Sequence, residues 1–367
     1  MLSRIFKEAG FNTASMSSVR FQVKDKEWRN TMKMTMPGRF VIQRFLRQAK
    51  NAGCTHVVLE VTSEGMLQHR HRFIPFHTAV FTNLSPEHIE RHGSFENYKQ
   101  TKGKLFSLAK NVHVINIDDE HAEYFLSFLA KQTHTYSIFG RGKGEFNIAG
   151  ENIQENKGLR FSAGGVEFHL SLLGRFNIYN ALAAIAVARS EGISFEVCKK
   201  ALEKMEVVPG RMEEVISSPF RVVVDYAFTP AALEKVYQTL KSSSGKLLCV
   251  LGATGGGRDA WKRPILGEIA SANCDTVIVT DEDPYEEDPE KIMDEVMAGV
   301  KGKAEKILDR RDAIAKALSM GRKGDTVVIT GKGSEDSIAV RGGKKVPWDD
   351  REVVREEWTK LTEHGTL

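Results

Sequence analysis

The feature that most restricts how this chain can fold is alternation between short apolar runs and amphipathic stretches of helical period. In the first half, THVVLEVT (55–62), HTAVFTNL (77–84) and VHVINID (112–118) are separated by helical patterns over 38–52, 93–110 and 119–132. In the second half, FRVVVDY (220–226), KLLCVLG (246–252), CDTVIVT (274–280), AEKILD (304–309) and DTVVITG (325–331) alternate with patterns over 230–242, 262–272, 289–300 and 311–320. Strands that read as continuous apolar runs between helices predict parallel sheets covered on both faces, an α/β fold. Residues 133–173 differ, with short strands and turn residues including Gly140-Arg141-Gly142-Lys143-Gly144, read as a hairpin turn in an antiparallel appendage. Helices follow over 177–192 and 194–205. Val208-Pro209-Gly210 is the natural hinge, which divides the chain into 1–208 and 209–367. Leu2, Ile5, Phe6 and Ala9 recur at helical spacing before Gly10. A helix at the first residue, with no strand leading into it, predicts that the sequence starts inside a βαβ unit.

Charge and cysteine content narrow the partners. Fifty-two basic against 48 acidic residues leave +4, mixed along the 367 residues, which does not mark a nucleic-acid binder. No apolar run approaches the roughly 18 to 20 residues that span a bilayer, and the first residues lack a signal-peptide core. Cys54, Cys198, Cys249 and Cys274 are widely spaced with no CxxC pair. The expectation is therefore neither disulfide framework nor zinc site, and a cytoplasmic protein. A monomer is expected.

Polar residues cluster just after strands, where an open α/β sheet exposes them. Glu60, Thr62 and Ser63 end one strand; Asn83, Glu87 and His88 end the next. A carboxylate and an imidazole there suit a hard divalent cation, although spacing alone favours a solvated loop, a helix cap or a surface histidine. Gly252 to Asp259, between strand and helix, lets backbone N–H groups approach an anion, with Arg258 able to fork onto a carboxylate; a tight turn is the plain alternative. Gly331-Lys332-Gly333-Ser334-Glu335 only superficially resembles a phosphate loop, and the chain contains no GxxxxGK[ST] run. Asp281 to Asp288 is either a cation site or an acidic loop in which Asp288 caps the helix after Pro289.

Eight collinear motifs, EVTSEGMLQHR (60–70), FTNLSPEHIERHGSFENYKQTKGKLF (81–106), LLGRFNIYNALAAI (172–185), VPGRMEEV (208–215), VVDYAFTPAALE (223–234), GGGRDAWKRP (255–264), TDEDPYEEDP (280–289) and GKGSED (331–336), resemble the Mur ligase family. The resemblance runs from about residue 2 to about 355 and is strongest to the branch that adds the third residue of the peptide. It implies a central P-loop-type ATPase domain, here lacking its P-loop strand and loop, followed by a Rossmann-like C-terminal ligase domain. It implies ATP-dependent amide synthesis through an acyl phosphate, in peptidoglycan precursor synthesis. A diamino acid would be added to UDP-N-acetylmuramoyl-L-alanyl-D-glutamate.

By the same resemblance, Glu60 and His88 match magnesium ligands, and Lys102 matches a lysine that is carbamylated into a third. Asn83, Asn177 and Asn180 match nucleotide contacts, although Asn177 also reads as a helix N-cap. Arg211 matches an arginine that reaches the γ-phosphate, and Asp225, with Tyr226 beside it, matches the ribose acid. Catalysis would rest on Lys102, Arg211 and His88. Thr35, Thr62, Ser63 and Arg70 match acceptor contacts; Arg258, Gly331 and Glu335 match amino-acid contacts.

The departures carry information. Glu87 and Glu64 replace an aspartate and a histidine, and Phe228 replaces the histidine of DYAHTP. The family's DNPR ends in Asp283-Pro284-Tyr285 here, so the arginine that would anchor the distal carboxylate of diaminopimelate is absent, and acid surrounds the position. Lysine or another basic diamino acid is expected over meso-diaminopimelate, unless Arg263 or Arg341 enters the pocket. Two rival readings are a ligase on the same scaffold acting on another carboxylate, such as a polyglutamyl tail, and a non-catalytic fragment that binds nucleotide or a partner. Without a phosphate loop, these 367 residues alone are expected to be inactive.

Overall fold

A computed structural model describes residues 1–32, 34–140, 142, 146–155, 158–242 and 244–363. The chain divides into two compact units, Met1–Glu206 and Val207–Leu367. Of the expected turn at 140–144, Arg141, Lys143 and Gly144 lie outside the described residues.

The first unit opens with α1 (Leu2–Glu8), β1 (Thr13–Met16), β2 (Arg20–Val23), β3 (Lys26–Arg29), α2 (Arg39–Asn51), β4 (His56–Leu59) and α3 (Ser63–Leu67). It continues with β5 (Thr78–Phe81), α4 (Ile89–His92), α5 (Phe95–Leu108), β6 (Val112–Asn116), α6 (Ala122–Leu126), β7 (Gln132–Ser137) and β8 (Phe146–Ala149). It ends with β9 (Glu151–Glu155), β10 (Leu159–Ala163), β11 (Val166–Leu170), α7 (Phe176–Ser190) and α8 (Phe195–Glu203). Three sheets form, in the orders β3-β2-β1-β4, β5-β6-β7-β8 and β9-β10-β11. The helix expected over 119–132 shrinks to α6, because the residues from Gln132 pair in parallel with β6 instead. The antiparallel appendage is likewise narrower than expected: β7 and β8 join the parallel sheet, and only β9 to β11 pair antiparallel. All residues of α7 from Ala181 to Ala188 are buried. Its small side chains let the helix lie close against β6 and β7 and anchor one continuous core.

The second unit contains β12 (Glu213–Ile216), β13 (Arg221–Val224), α9 (Pro230–Leu240), β14 (Leu247–Leu251), α10 (Lys262–Asn273), β15 (Thr276–Val279) and α11 (Pro289–Met297). Then come β16 (Ala304–Lys306), α12 (Arg310–Met320), β17 (Thr326–Ile329), the hairpin β18 (Ser337–Val340) and β19 (Lys344–Pro347), and α13 (Asp350–Glu363). Its main sheet has the order β12-β13-β17-β14-β15-β16, parallel except for β12. Local chemistry starts the helices, as the sequence suggests for Asp288. Thr229 and Asp288 accept from the backbone N–H groups of Ala232 and Glu290, each with proline at the first helical position. Because β17 inserts between β13 and β14, the chain ends of β13, β14, β15 and β17 converge on one edge, where such sheets bind ligands.

One expectation fails outright. Cys249, buried in β14, is disulfide-bonded to Cys274 at the end of α10, with Cα atoms 6.1 Å apart. Their separation of 25 residues is one helical crossover, which returns the chain to the neighbouring strand, where Leu248 pairs with Thr276. Cys54 and Cys198 are free. No helix among the described residues is long and apolar enough to cross a membrane.

Candidate functional site

Each unit presents a cluster of its own. In the first, the Thr35–Met36 segment lies against α3: a side chain on Gly65 would meet the sulfur of Met36 and Thr62 Oγ1. Thr62 caps α3 by accepting from Gly65 N–H at 3.1 Å, and Arg70 donates to the Met36 carbonyl. Ser63 Oγ is 3.1 Å from Nε2 of His92, both residues being buried. The expected acceptor residues Thr35, Thr62, Ser63 and Arg70 are thus neighbours, and His92 joins them without having been singled out in the sequence. Asn83 is exposed between pinned neighbours, since the Thr82 carbonyl accepts from Asn116 and Leu84 N–H donates to Asp119.

The expected magnesium residues are neighbours: Lys102 feels the charge of Glu60, and Lys102 and His88 both lie against the ring of Tyr98. Glu60 Oε2 accepts from the backbone N–H and hydroxyl of Ser18, at 3.0 and 3.3 Å. His88 is exposed in the left-handed region (φ 56°), 3.6 Å from Glu87. Lys102 lies over the ring of Tyr98 at 5.1 Å. Burial holds its ammonium below the ordinary lysine range, against the opposing pull of Glu87 and then Glu60. An unmodified lysine brings a positive charge and no donor to a cation, and no group of three His, Cys, Asp or Glu among the described residues is arranged to hold a metal. Without an oxygen donor from Lys102, Glu60 and His88 are an incomplete ligand set for magnesium. Asn177 is not an N-cap: Arg175 occupies that place, while Asn177 donates to the Leu173 carbonyl and accepts from Asn180.

In the second unit, Arg211 stacks over Tyr226 at 4.3 Å. Asp225 is buried, and its two oxygens accept from the N–H groups of Met212 and Ala227, both at 2.7 Å. Burial raises its pKa, and the Met212 bond opposes the rise. From Tyr226 a polar chain runs inward: its hydroxyl donates to Glu335 at 3.1 Å, and Glu335 and Asp283 flank the ammonium of Lys332, Asp283 at 2.9 Å. Lys332 is fully buried, so it is no phosphate-loop lysine. Glycines on both sides make this possible. Gly331 has φ 106°, and a Cβ there would lie 2.2 Å from Glu282 Oε2; Gly333 has φ 53° and faces Tyr226 Cβ at 2.7 Å.

Around this chain, Glu282 is buried with Oε1 accepting from Thr254 at 2.6 Å and Oε2 without a hydrogen-bond partner. Burial raises its pKa. Arg258 stacks on Tyr285 at 5.2 Å and donates to its hydroxyl at 3.2 Å. Gly255 N–H donates to the Asp283 carbonyl, so the glycine-rich loop rides on the segment bearing Tyr285.

Asp283 is no free acid, since its Oδ1 also accepts from Ala339 N–H at 2.6 Å. Arg263 does not enter the pocket, because it is buried and held by Glu287 at 2.9 Å and Glu295 at 2.7 Å. Arg341 is largely exposed, 3.9 Å from Glu286. Sequence reading assigns no role to Lys332 or His92, and Glu282 enters it only as part of the acidic segment 281–288. The flanking glycines are the available signal for Lys332: the resemblance gives Gly331 and Glu335 an amino-acid contact and gives the lysine between them none.

A family model described as the Mur ligase middle domain matches residues 1–188, and one described as the Mur ligase, glutamate ligase domain matches residues 210–333. The chain belongs to the Mur ligase family. It is 35% identical over 391 residues to a UDP-N-acetylmuramyl-tripeptide synthetase of Roseiflexus sp. (strain RS-1), covering 98% of this chain and 76% of the relative. It is 37% identical over 372 residues to a UDP-N-acetylmuramoyl-L-alanyl-D-glutamate–2,6-diaminopimelate ligase of Syntrophomonas wolfei, covering 97% and 74%. A solved structure of a ligase with that same description superposes with a TM-score of 0.63 at 28% identity, over 98% of this chain and 75% of the other.

Proposed function

We propose that the protein is an ATP-dependent ligase that joins a diamino acid to the D-glutamyl carboxylate of UDP-N-acetylmuramoyl-L-alanyl-D-glutamate. ATP would phosphorylate that carboxylate. The amine would then attack the acyl carbon and displace phosphate, so that one amide forms for each ATP converted to ADP and phosphate. What this chain contributes is placement. Thr35, Thr62, Ser63 and Arg70 would hold the acceptor, with Asn83, Asn177, Asn180, Arg211, Asp225 and Tyr226 on the nucleotide. Arg258 would take the α-carboxylate of the incoming amino acid near Gly331, Asp283, Tyr285 and Glu335. A carbamate on Lys102 would turn its cation into the missing oxygen donor of a magnesium site with Glu60 and His88.

The observation that carries the reading is the polar cradle at the strand ends of the second unit, in a chain whose relatives above are named for this chemistry. Lysine is favoured over meso-diaminopimelate because Tyr285 stands where a second arginine would, and Arg263 is already held by two glutamates. The sequence has no GxxxxGK[ST] run, so ATP turnover by these residues alone is expected to be absent, and amino-acid recognition is the property to test. Calorimetric titration should show L-lysine binding and L-glutamate not binding. Binding of glutamate with exclusion of lysine would favour a polyglutamyl-type ligase and overturn the proposal.

A further inference from the structure

Lys332 is the least expected residue of the cradle. A lysine is rarely buried without pairing, and this one is 0% exposed. Its ammonium sits between Asp283, which follows β15, and Glu335, three residues further along the turn after β17. Burial opposes its charge, but Asp283 and Glu335 outweigh burial and keep it protonated. The two carboxylates are fixed from their far sides as well, Asp283 by Ala339 N–H and Glu335 by the Tyr226 hydroxyl. Two positive-φ glycines give the backbone the turn that sends the side chain inward. Glu282 and Asp281 also feel its charge, Arg258 and Arg211 lie over the neighbouring rings of Tyr285 and Tyr226, and Arg310 is held by Asp350.

Resting on the reading of this cradle as the amino-acid site, we propose that Lys332 sets its charge selectivity. Its buried ammonium cancels one of the two flanking carboxylates, and so limits how far the site favours a cationic over a zwitterionic amino acid. Lysine carries a net positive charge at neutral pH and diaminopimelate none. Removing the ammonium makes the site one unit more negative and strengthens the preference for lysine; removing Glu335's charge does the reverse. A charge buried within several ångströms of a ligand acts through a low effective dielectric, so about tenfold in the ratio is expected, ~1.4 kcal/mol.

The test is titration of L-lysine and meso-diaminopimelate into the whole chain, its Lys332→Met and Lys332→Gln variants, and Glu335→Gln. The Lys332 variants should raise the lysine-to-diaminopimelate affinity ratio about tenfold, and Glu335→Gln should lower it. A purely structural lysine would weaken both ligands alike. An unchanged ratio, or one that moves in the opposite direction, overturns the assignment while leaving the cradle reading intact. If neither Lys332 variant folds, Lys332→Arg decides: it keeps the charge, so the ratio should match the wild type, and a tenfold change overturns the assignment. A wild-type chain that binds neither amino acid overturns the reading of the cradle itself, and the role of Lys332 with it.

Discussion

Glu282 shows how one residue can be both a strain on the fold and a clue to its use. Its carboxyl is buried, and one oxygen lacks a hydrogen-bond partner beside Gly331. Burial raises its pKa above the unfolded value of 4.5. Between those two values the folded state holds a proton that the unfolded state has released, so its contribution to stability falls as pH rises through that window. Glu282→Gln keeps an acceptor for Thr254 and removes the ionisable group. We expect a stabilisation of about 1 kcal/mol at pH 8, roughly 2–4 °C in melting temperature, and a smaller gain at pH 5. Equal melting shifts at the two pH values would mean that the carboxyl is not the burden. Lys102 is the second residue-scale case. A lysine whose ammonium is disfavoured by burial offers the neutral amine that carbon dioxide adds to. With ¹³C-bicarbonate, a carbamate resonance should appear that Lys102→Arg abolishes; a spectrum identical in the variant would remove Lys102 from the proposed cation site.

At the scale of elements, the disulfide encloses the whole crossover from β14 through the glycine-rich loop and α10. Closing a loop of 25 residues stabilises a fold by about 3 kcal/mol. The denatured, unreduced protein should therefore expose two thiols to alkylation, Cys54 and Cys198, and reduction should lower the melting temperature. Four reactive thiols without reductant would contradict the pairing. The sequence could not show this bond, because the helix between the cysteines hides their proximity. It did show the strands around them: LLCVL (247–251) and TVIV (276–279), inside KLLCVLG and CDTVIVT, are buried on both faces and read as short, mostly apolar runs. The strands β1 to β3 and the hairpin β18–β19 escaped notice because each strand has only four residues, below what periodicity resolves. Of the site, Arg258, Tyr285, Glu335 and Arg211 were legible from motif order. Lys332 was not, since a lysine's burial depends on which carboxylates the fold sets opposite it.

At the scale of the molecule, two α/β units divide the proposed work, with acceptor contacts in the first and the amino-acid cradle in the second. The account turns on what that cradle selects. Arg258 remains for one carboxylate, its neighbour on the ring is Tyr285, and the other candidate arginines are held or exposed. The most direct measurement is a paired calorimetric titration of L-lysine and meso-diaminopimelate into the wild-type chain and Tyr285→Arg. The account predicts that lysine binds more tightly to the wild type and that Tyr285→Arg shifts the ratio toward diaminopimelate by about tenfold, ~1.4 kcal/mol. A wild-type preference for diaminopimelate of about tenfold, unchanged by the substitution, would contradict it.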